Sequence, residues 1–279
     1  MGPTAGLAFK PVHLEEALLS SAVGLWFEIH AENYMVAGGP RLIMLNALRQ
    51  AAPLSIHGVG LSLAGASAPD DRHLRALKGL CDRFDPFLVS EHLAWSRVEG
   101  SCFPDLLPFP RTHEALDLTA RNVDIAQNFL RRPIAIENPS LYLALEGHDW
   151  GEADFLAELV KRTGCRLLLD IANVVVSANN LGFDPYAYVD ALPSAAIAEF
   201  HLAGYRPDPV HGARLLIDSH DAPVSEQVWA LYCHALRRFG AMPTLVERDG
   251  AIPTFDVLMA ERDRAASLMR IGGKVIAHV

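Results

Sequence analysis

Arg166-Leu167-Leu168-Leu169-Asp170-Ile171-Ala172-Asn173 is the stretch that decides how the chain is read. Three consecutive leucines, behind Gly164 and Cys165, run straight into an aspartate. So short an apolar run reads as a strand buried on both faces of a parallel sheet. A carboxylate at the C-terminal end of such a strand stands where α/β folds place their chemistry. One strand of this kind carries little weight, because many buried strands end in an Asp that caps the next loop. The weight comes from recurrence.

Upstream, Gly24-Leu25-Trp26-Phe27 leads into Glu28-Ile29-His30-Ala31-Glu32-Asn33, and alternation puts Glu28 and His30 on one strand face. Gly38-Gly39-Pro40 opens a helix through Arg49. Further strands are expected at Pro53–His57, Pro86–Ser90 and Pro133–Ile136, ending at His57, at Glu91-His92 and at Glu137. Between them run amphipathic helices, one capped by Ser67 or Asp70, the next by Thr112 and reaching Leu130. The segment from Trp95 to Pro110 reads as a long aromatic and proline-rich loop, and a helix over Glu152–Arg162 stops at Gly164. Downstream, strands are expected at Ala196–Phe200, ending in His201, at Arg214–Ile217, ending in Asp218-Ser219-His220, and at Pro243–Val246, ending in Glu247. The interval from His201 to Asp218 is too short for a helix and reads as a loop crossover. A strong amphipathic helix then brings Val228, Leu231, Ala235, Leu236 and Phe239 inward. A last helix follows Pro253 towards Met269, with the Gly272-Gly273 tail unassigned.

Eight buried strands alternating with helices predict a single (β/α)8 barrel of the TIM type, one domain over 1–279, with a metal site at its C-terminal mouth. A doubly wound open sheet is the weaker alternative. It lacks a GxGxxG turn and would not bring every strand end to one point. The chain has 279 residues, 51% of them hydrophobic and 20% charged, enough for one large core. Its formal net charge of -9 argues against a nucleic-acid partner. Met1 to Lys10 has no signal-peptide pattern and no apolar run reaches a membrane span, so a cytoplasmic protein without a membrane partner is expected. Cys81, Cys102, Cys165 and Cys233 are scattered without CxxC spacing and read as buried or idle thiols.

Taken together, the strand ends offer Glu28 or His30, His57, His92, Glu137, Asp170, His201, Asp218 with His220, and Glu247. In a barrel they converge on one mouth. So many carboxylates and imidazoles in one low-dielectric bowl need compensation, and metal cations are the simplest form of it. The set exceeds the needs of one ion. It suits two or three divalent ions sharing a bridging carboxylate, for which Glu137, near the middle of the row, is the candidate. Imidazole and carboxylate without thiolate favour iron, manganese or zinc over copper(I). Asn173 is a further ligand candidate through its carbonyl oxygen. Ser55, Ser90, Glu199 and Asp249 are placed to orient ligands or to serve as ordinary satisfied polar groups. His13, His73, His113, His148, His211, His234 and His278 fall in loops or helices and are expected at the surface.

These segments resemble the multinuclear non-haem iron-dependent oxidative enzymes, the barrel family that includes the iron component of methanobactin biosynthesis. The resemblance covers nearly the whole chain. It rests on Phe27-Glu28-Ile29-His30-Ala31-Glu32-Asn33, Ser55-Ile56-His57-Gly58-Val59-Gly60-Leu61-Ser62, Ser90-Glu91-His92-Leu93-Ala94-Trp95 and Ile136-Glu137-Asn138-Pro139-Ser140. It continues through Leu167-Leu168-Leu169-Asp170, His201-Leu202-Ala203-Gly204, Ile217-Asp218-Ser219-His220-Asp221 and Leu245-Val246-Glu247-Arg248-Asp249. The resemblance implies iron ligands at His57, His92, Glu137, Asp170, His201, Asp218, His220 and Glu247, with Asn173 beside them. Where the family commonly has two asparagines after the Asp, this chain has Ala172-Asn173, one possible ligand fewer. It further implies two or three ions cycling between Fe(II) and Fe(III), dioxygen as co-substrate, and oxidation of cysteine residues in a ribosomally made precursor peptide. A small partner protein that recognises the precursor is implied as well. Glu137, Asp170 and Glu247 are the carboxylates expected to carry the catalysis. The form of the motifs looks closest to members that modify metal-binding, such as copper-sequestering, peptides. The competing readings are a divalent-metal sugar isomerase or zinc phosphodiesterase on a related barrel, and a non-enzymatic metal-binding protein.

Overall fold

Short apolar runs and amphipathic helices close into a barrel in the computed structural model, which describes residues 4–98 and 101–276. Its strands are β1 (Ala5–Ala8), β2 (Phe27–His30), β3 (Leu54–Gly58), β4 (Leu88–His92), β7 (Ala135–Glu137), β8 (Arg166–Asp170), β9 (Ile197–Leu202) and β12 (Thr244–Val246). All pair in parallel, in the ring order β1-β12-β9-β8-β7-β4-β3-β2. Two hairpins, β5 (Trp95–Val98) with β6 (Ser101–Leu107) and β10 (Arg206–Asp208) with β11 (Gly212–Ile217), stand apart from the ring. Helices α1 (Leu14–Leu19), α2 (Pro40–Ala51), α3 (Asp71–Phe84), α4 (His113–Leu130), α5 (Glu152–Thr163), α6 (Ile171–Leu181), α7 (Pro185–Ala191), α8 (Glu226–Phe239) and α9 (Phe255–Ile276) fill the connections.

Strand alternation divides the ring into two surfaces. Phe27, Ile56, Val89, Ile136, Leu169 and Phe200 are buried in the main apolar core, where Phe200 meets Tyr232 of α8 edge-on. Glu28, Ser55, Ser90, Glu199 and the ligand candidates occupy the alternate positions and are buried with one another. The helix ends follow local chemistry. Asp70 accepts from the His73 amide at the start of α3, Thr112 from the Ala115 amide at the start of α4, and Gly164 ends α5 in the left-handed region.

The barrel class is as expected, but its membership differs in two strands. Arg214–Ile217, read as the seventh barrel strand, belongs to β11 and pairs antiparallel with β10 (Arg206↔Ile217) outside the ring. The run is apolar, yet Arg214 is exposed and Leu216 alone is buried. Asn180 of α6 holds Leu216 as a strand neighbour would, accepting from its amide (2.8 Å) and donating to its carbonyl (3.0 Å). The strand that closes the ring is β1, which pairs with β12 (Leu7↔Val246) and β2 (Leu7↔Phe27). Ala5-Gly6-Leu7-Ala8 carries no β-branched or aromatic signal. Its small residues answer a packing need: a Cβ on Gly6 would lie 2.4 Å from the Trp26 ring.

Other departures are smaller. The Trp95–Pro110 segment contains the β5–β6 hairpin rather than a plain loop, and α6 and α7 fill the stretch after Asp170. Gly272-Gly273 lies within α9. His13 and His73, expected at the surface, are buried; His13 Nε2 meets the Pro253 carbonyl at 2.8 Å. Cys81 and Cys165 are buried, Cys233 is partly so, and the Cys102 side chain and His278 lie outside the described residues. Among the described residues, no helix is long and apolar enough to cross a membrane.

Candidate metal centre

His57, His92 and Glu137 come from three adjacent strands, β3, β4 and β7, and meet over one carboxylate oxygen. Glu137 Oε2 lies 3.1 Å from His57 Nε2 and 3.2 Å from His92 Nε2. It nevertheless accepts no hydrogen bond. The two rings are held from behind. His92 Nδ1 sits 3.1 Å from the Gly58 carbonyl, which can only accept, so Nδ1 carries the proton and Nε2 presents a lone pair. His57 Nδ1 is hydrogen-bonded to Ser90 Oγ at 2.7 Å.

Asp170 ends β8 and caps α6: its Oδ1 accepts from the Asn173 amide at 2.7 Å while Oδ2 is buried without a partner. That cap turns Asn173 inward. Its Nδ2 donates to the Asn138 carbonyl (3.0 Å) and faces Glu137 Oε1 (3.4 Å), leaving Oδ1 buried and free. Glu247, just beyond β12, accepts from His30 Nε2 through Oε1 (3.1 Å) and turns Oε2 towards His220 Nδ1 (3.3 Å) and His201 Nδ1 (3.5 Å).

Asp218 and His220 arrive from the loop after β11, not from a barrel strand. Asp218 Oδ1 stands 2.6 Å from His220 Nε2, and Oδ2 accepts from Ser140 Oγ at 3.1 Å. The loop is folded tightly: His220 has φ +48° and its amide donates to the Gly204 carbonyl. A Cβ on Gly204 would lie 2.0 Å from the Ala222 carbonyl oxygen, so glycine is required for the loop to reach the mouth. All nine ligand candidates thus gather at one end of the barrel.

The charges are tightly interlocked. Burial alone would raise the Glu137 carboxyl, but His92 and His57 outweigh it and hold the group at about 2. Burial alone would lower His57, yet Glu137 and then Glu28 lift it to about 10. Asp170 is pushed up to about 8 by burial and by Glu137, which His220 and His201 only partly offset. Burial opposes them, but His220 takes Glu247 well below the usual carboxylate range, and Asp218 and Glu247 take His220 well above that of imidazole.

Among the described residues, every ion-pair contact of Glu28, Glu137, Glu199, Asp218 and Glu247 is to an imidazole; no Lys or Arg reaches them. Glu137 Oε2, Asp170 Oδ2, Asn173 Oδ1, Asp218 Oδ1, His201 Nδ1 and His220 Nε2 are all buried and without hydrogen bonds. Buried polar atoms are normally paired. Donors about 3.0–3.4 Å apart that do not bond one another are spaced as ligands around a common ion with bonds of about 2.1 Å. His57–His92–Glu137 and Glu137–Asp170–His201 each bring three such atoms within reach of one point. The residues fit divalent metal ions, and Glu137 belongs to both groups.

The chain matches the model of a family described as RiPP precursor modification enzyme MbnB/TglH/ChrH over residues 4–270. It belongs to that family. A UPF0276 protein of Caulobacter vibrioides (strain NA1000 / CB15N) is 58% identical over 281 residues, covering 100% of both chains. Among solved structures, D-psicose 3-epimerase from Clostridium cellulolyticum H10 superposes with a TM-score of 0.61 at 11% identity, over 97% of this chain and 99% of that one. A xylose isomerase-like TIM barrel protein from Mycobacterium smegmatis in complex with magnesium does so with 0.61 at 13%, over 97% of each. At these identities the likeness is one of fold.

In this member of the family, a cavity of about 510 Å³ opens onto the centre. Asn173 and Asp218 form its inner end; Ser140, Tyr142, Phe103 and Leu106 form its sides. Four of its lining residues, Arg97, Phe103, Asp105 and Leu106, come from the Trp95–Pro110 segment. Tyr142 was not visible beforehand: its oxygen accepts from the Asp218 amide (3.1 Å), but nothing in its sequence neighbourhood marks it. Ser140, inside the Glu137-Asn138-Pro139-Ser140 stretch, was within reach of the sequence. Glu32, His73 and Glu91 form a further group, and Glu32 and His73 line the same cavity as Asn173 and Asp218. Arg97 donates to His73 Nδ1 (3.3 Å), and His73 Nε2 lies 3.2 Å from Glu32 Oε1, a polar chain that ties the β5–β6 hairpin to the barrel.

Proposed function

We propose that this protein is a multinuclear non-haem iron enzyme that uses dioxygen to oxidise cysteine residues of a ribosomally synthesised precursor peptide. The substrates would be precursors of metal-binding peptides, such as copper-binding ones, and a small partner protein would present the precursor. Membership of a family of precursor modification enzymes supports the substrate class. The observation that carries the chemistry is the ring of buried imidazole, carboxylate and amide oxygen donors without hydrogen-bond partners or thiolate. His57, His92, Glu137, Asp170, Asn173, His201, Asp218, His220 and Glu247 would hold two or three ions, with Glu137 bridging. Iron bound there supplies the redox chemistry through which dioxygen oxidises the peptide.

The chain's own residues prepare that centre. The Gly58 carbonyl fixes the His92 tautomer, and Ser90 holds the His57 ring. Ser140 and Tyr142 anchor Asp218 while lining the cavity, so the wall that meets the peptide also positions a ligand. Tyr142 oxygen accepts the Asp218 amide, leaving its own proton to donate to a peptide carbonyl. Phe103 and Leu106 offer the peptide an apolar wall.

Dioxygen uptake measured with a cysteine-containing precursor peptide and its cysteine-to-serine counterpart tests the proposal. Uptake should require the peptide thiol and survive replacement of Cys81, Cys102, Cys165 and Cys233. Uptake that persists with the serine peptide would sink it. The fold likeness to D-psicose 3-epimerase favours a second reading, a divalent-metal sugar isomerase. It predicts activity with zinc or magnesium and no dioxygen uptake.

A further inference from the structure

The cavity that opens onto the centre holds one fixed cation. Its lining includes Glu32, Asp105 and Asp218, and among the described residues Arg97 is the single Lys or Arg that borders it. Arg97 stands on β5, partly buried, and is held at three points. Its amide donates to Ser62 Oγ (3.2 Å), its Nε to the Gly60 carbonyl (3.0 Å) and its Nη2 to His73 Nδ1 (3.3 Å). Gly60 is fitted to this arrangement, since a Cβ there would lie 2.7 Å from His73 Cε1.

Those side-chain bonds use two of the five N–H groups of a guanidinium. Nη1 bonds to nothing among the described residues, and none of their carboxylates forms an ion pair with Arg97. Glu32, on the same cavity wall, is engaged elsewhere: its Oε1 accepts from the Val59 amide (3.1 Å) and faces His73 Nε2 (3.2 Å). The tie between hairpin and barrel therefore leaves one edge of the fork unused. A planar fork fixed in place is the geometry that pairs with a carboxylate. The acidic residues around the rest of the cavity repel a carboxylate, so Arg97 is where one gains.

We propose that Arg97 is a specificity-determining residue that binds a carboxylate of the peptide whose cysteine reaches the centre. This rests on the reading of the cavity as the peptide site. The carboxylate belongs to an acidic side chain close to the cysteine or to the peptide's own C-terminus; both offer the same planar pair of oxygens. Asn173 and Asp218 at the inner end take the cysteine, and Arg97 takes the carboxylate. Two anchors in one cavity of about 510 Å³ fix which cysteine of a peptide is presented.

The test is calorimetry of short synthetic peptides on the full chain loaded anaerobically with ferrous iron. The probes are acetyl-Asp-Cys-Gly-amide, acetyl-Gly-Cys-Asp-amide, acetyl-Gly-Cys-Gly with a free C-terminal carboxylate, and the neutral acetyl-Gly-Cys-Gly-amide. At least one carboxylate probe should bind about 10–100-fold more tightly than the neutral one. Which probe does so tells a side chain from a C-terminus. In Arg97→Gln that advantage should vanish while the neutral peptide keeps its affinity. Arg97→Lys, with the charge but not the fork, should retain part of it. No advantage for any carboxylate probe on the wild-type chain overturns the proposal, and so does a Gln variant that weakens every probe alike. The wild-type comparison decides the matter even if a variant fails to fold. A carboxylate preference without thiol-dependent dioxygen uptake supports the subsite and counts against the oxidative reading; uptake without the preference does the reverse.

Discussion

Glu137 sits where two triads of donors overlap, and its two oxygens have different surroundings. Oε2 faces His57 and His92, while Oε1 faces Asn173. A bridging role predicts that Glu137→Ala loses more than one metal equivalent, whereas His57→Ala, at the edge of one triad, loses about one. Equal losses on metal analysis of the two variants would argue against bridging. The same pair sets a pH dependence in the metal-free protein. His57, raised to about 10 from 6.5, contributes stability fully present below about 6.5 and lost as pH rises through 10. Glu137, lowered to about 2 from 4.5, contributes stability present above about 4.5 and lost as pH falls through 2. The metal-free protein should therefore lose thermal stability between pH 7 and 10. At pH 7 a metal must displace the His57 proton, so loading should release protons into weak buffer. Metal uptake without proton release would contradict this.

At the scale of elements, the loop carrying Asp218 and His220 depends on one close approach. Gly204→Ala puts a methyl group against the Ala222 carbonyl, and overpacking of this kind costs about 1–3 kcal/mol. The variant should melt lower and bind less metal, with mouth residues Asp218 and His220 displaced; unchanged metal content would show that the loop tolerates the shift. Asp70→Ala, which removes the cap of α3 and is no ligand candidate, should cost about 1 kcal/mol and leave metal content untouched. The elements also show what the sequence could reveal. Helix caps at Asp70, Thr112 and Gly164 were legible because each is a local bargain between a side chain or glycine and the chain's next few residues. Strand β1 was not, since Ala5-Gly6-Leu7-Ala8 is chosen for what Trp26 leaves room for. Leu215 and Leu216 misled because an apolar run does not say whether its partner is a barrel strand or the side chain of Asn180. Asp218 and His220 nonetheless come beside Glu247, through the turn at Gly204 instead of a strand end.

For the whole molecule, parallel strands deliver one face of alternating polar residues to one end, and that geometry gathers donors from distant parts of the chain. The histidines at 57, 92 and 201 could be picked out from strand periodicity alone. Glu28 and Glu199, on the same faces, could be seen as inward-pointing, but only the coordinates reveal that Glu28 Oε1 and both Glu199 oxygens lack a hydrogen-bond partner. The peptide wall was half legible: the segment at Trp95–Pro110 stood out as long and rich in aromatic residues and proline, whereas Tyr142 reaches the cavity by a route no local pattern records. The central claim is that this mouth is a polynuclear iron centre. Metal analysis of the full chain purified without oxygen tests it most directly. The account predicts at least two irons per chain, and stoichiometric zinc in their place, or no bound metal at all, would contradict it.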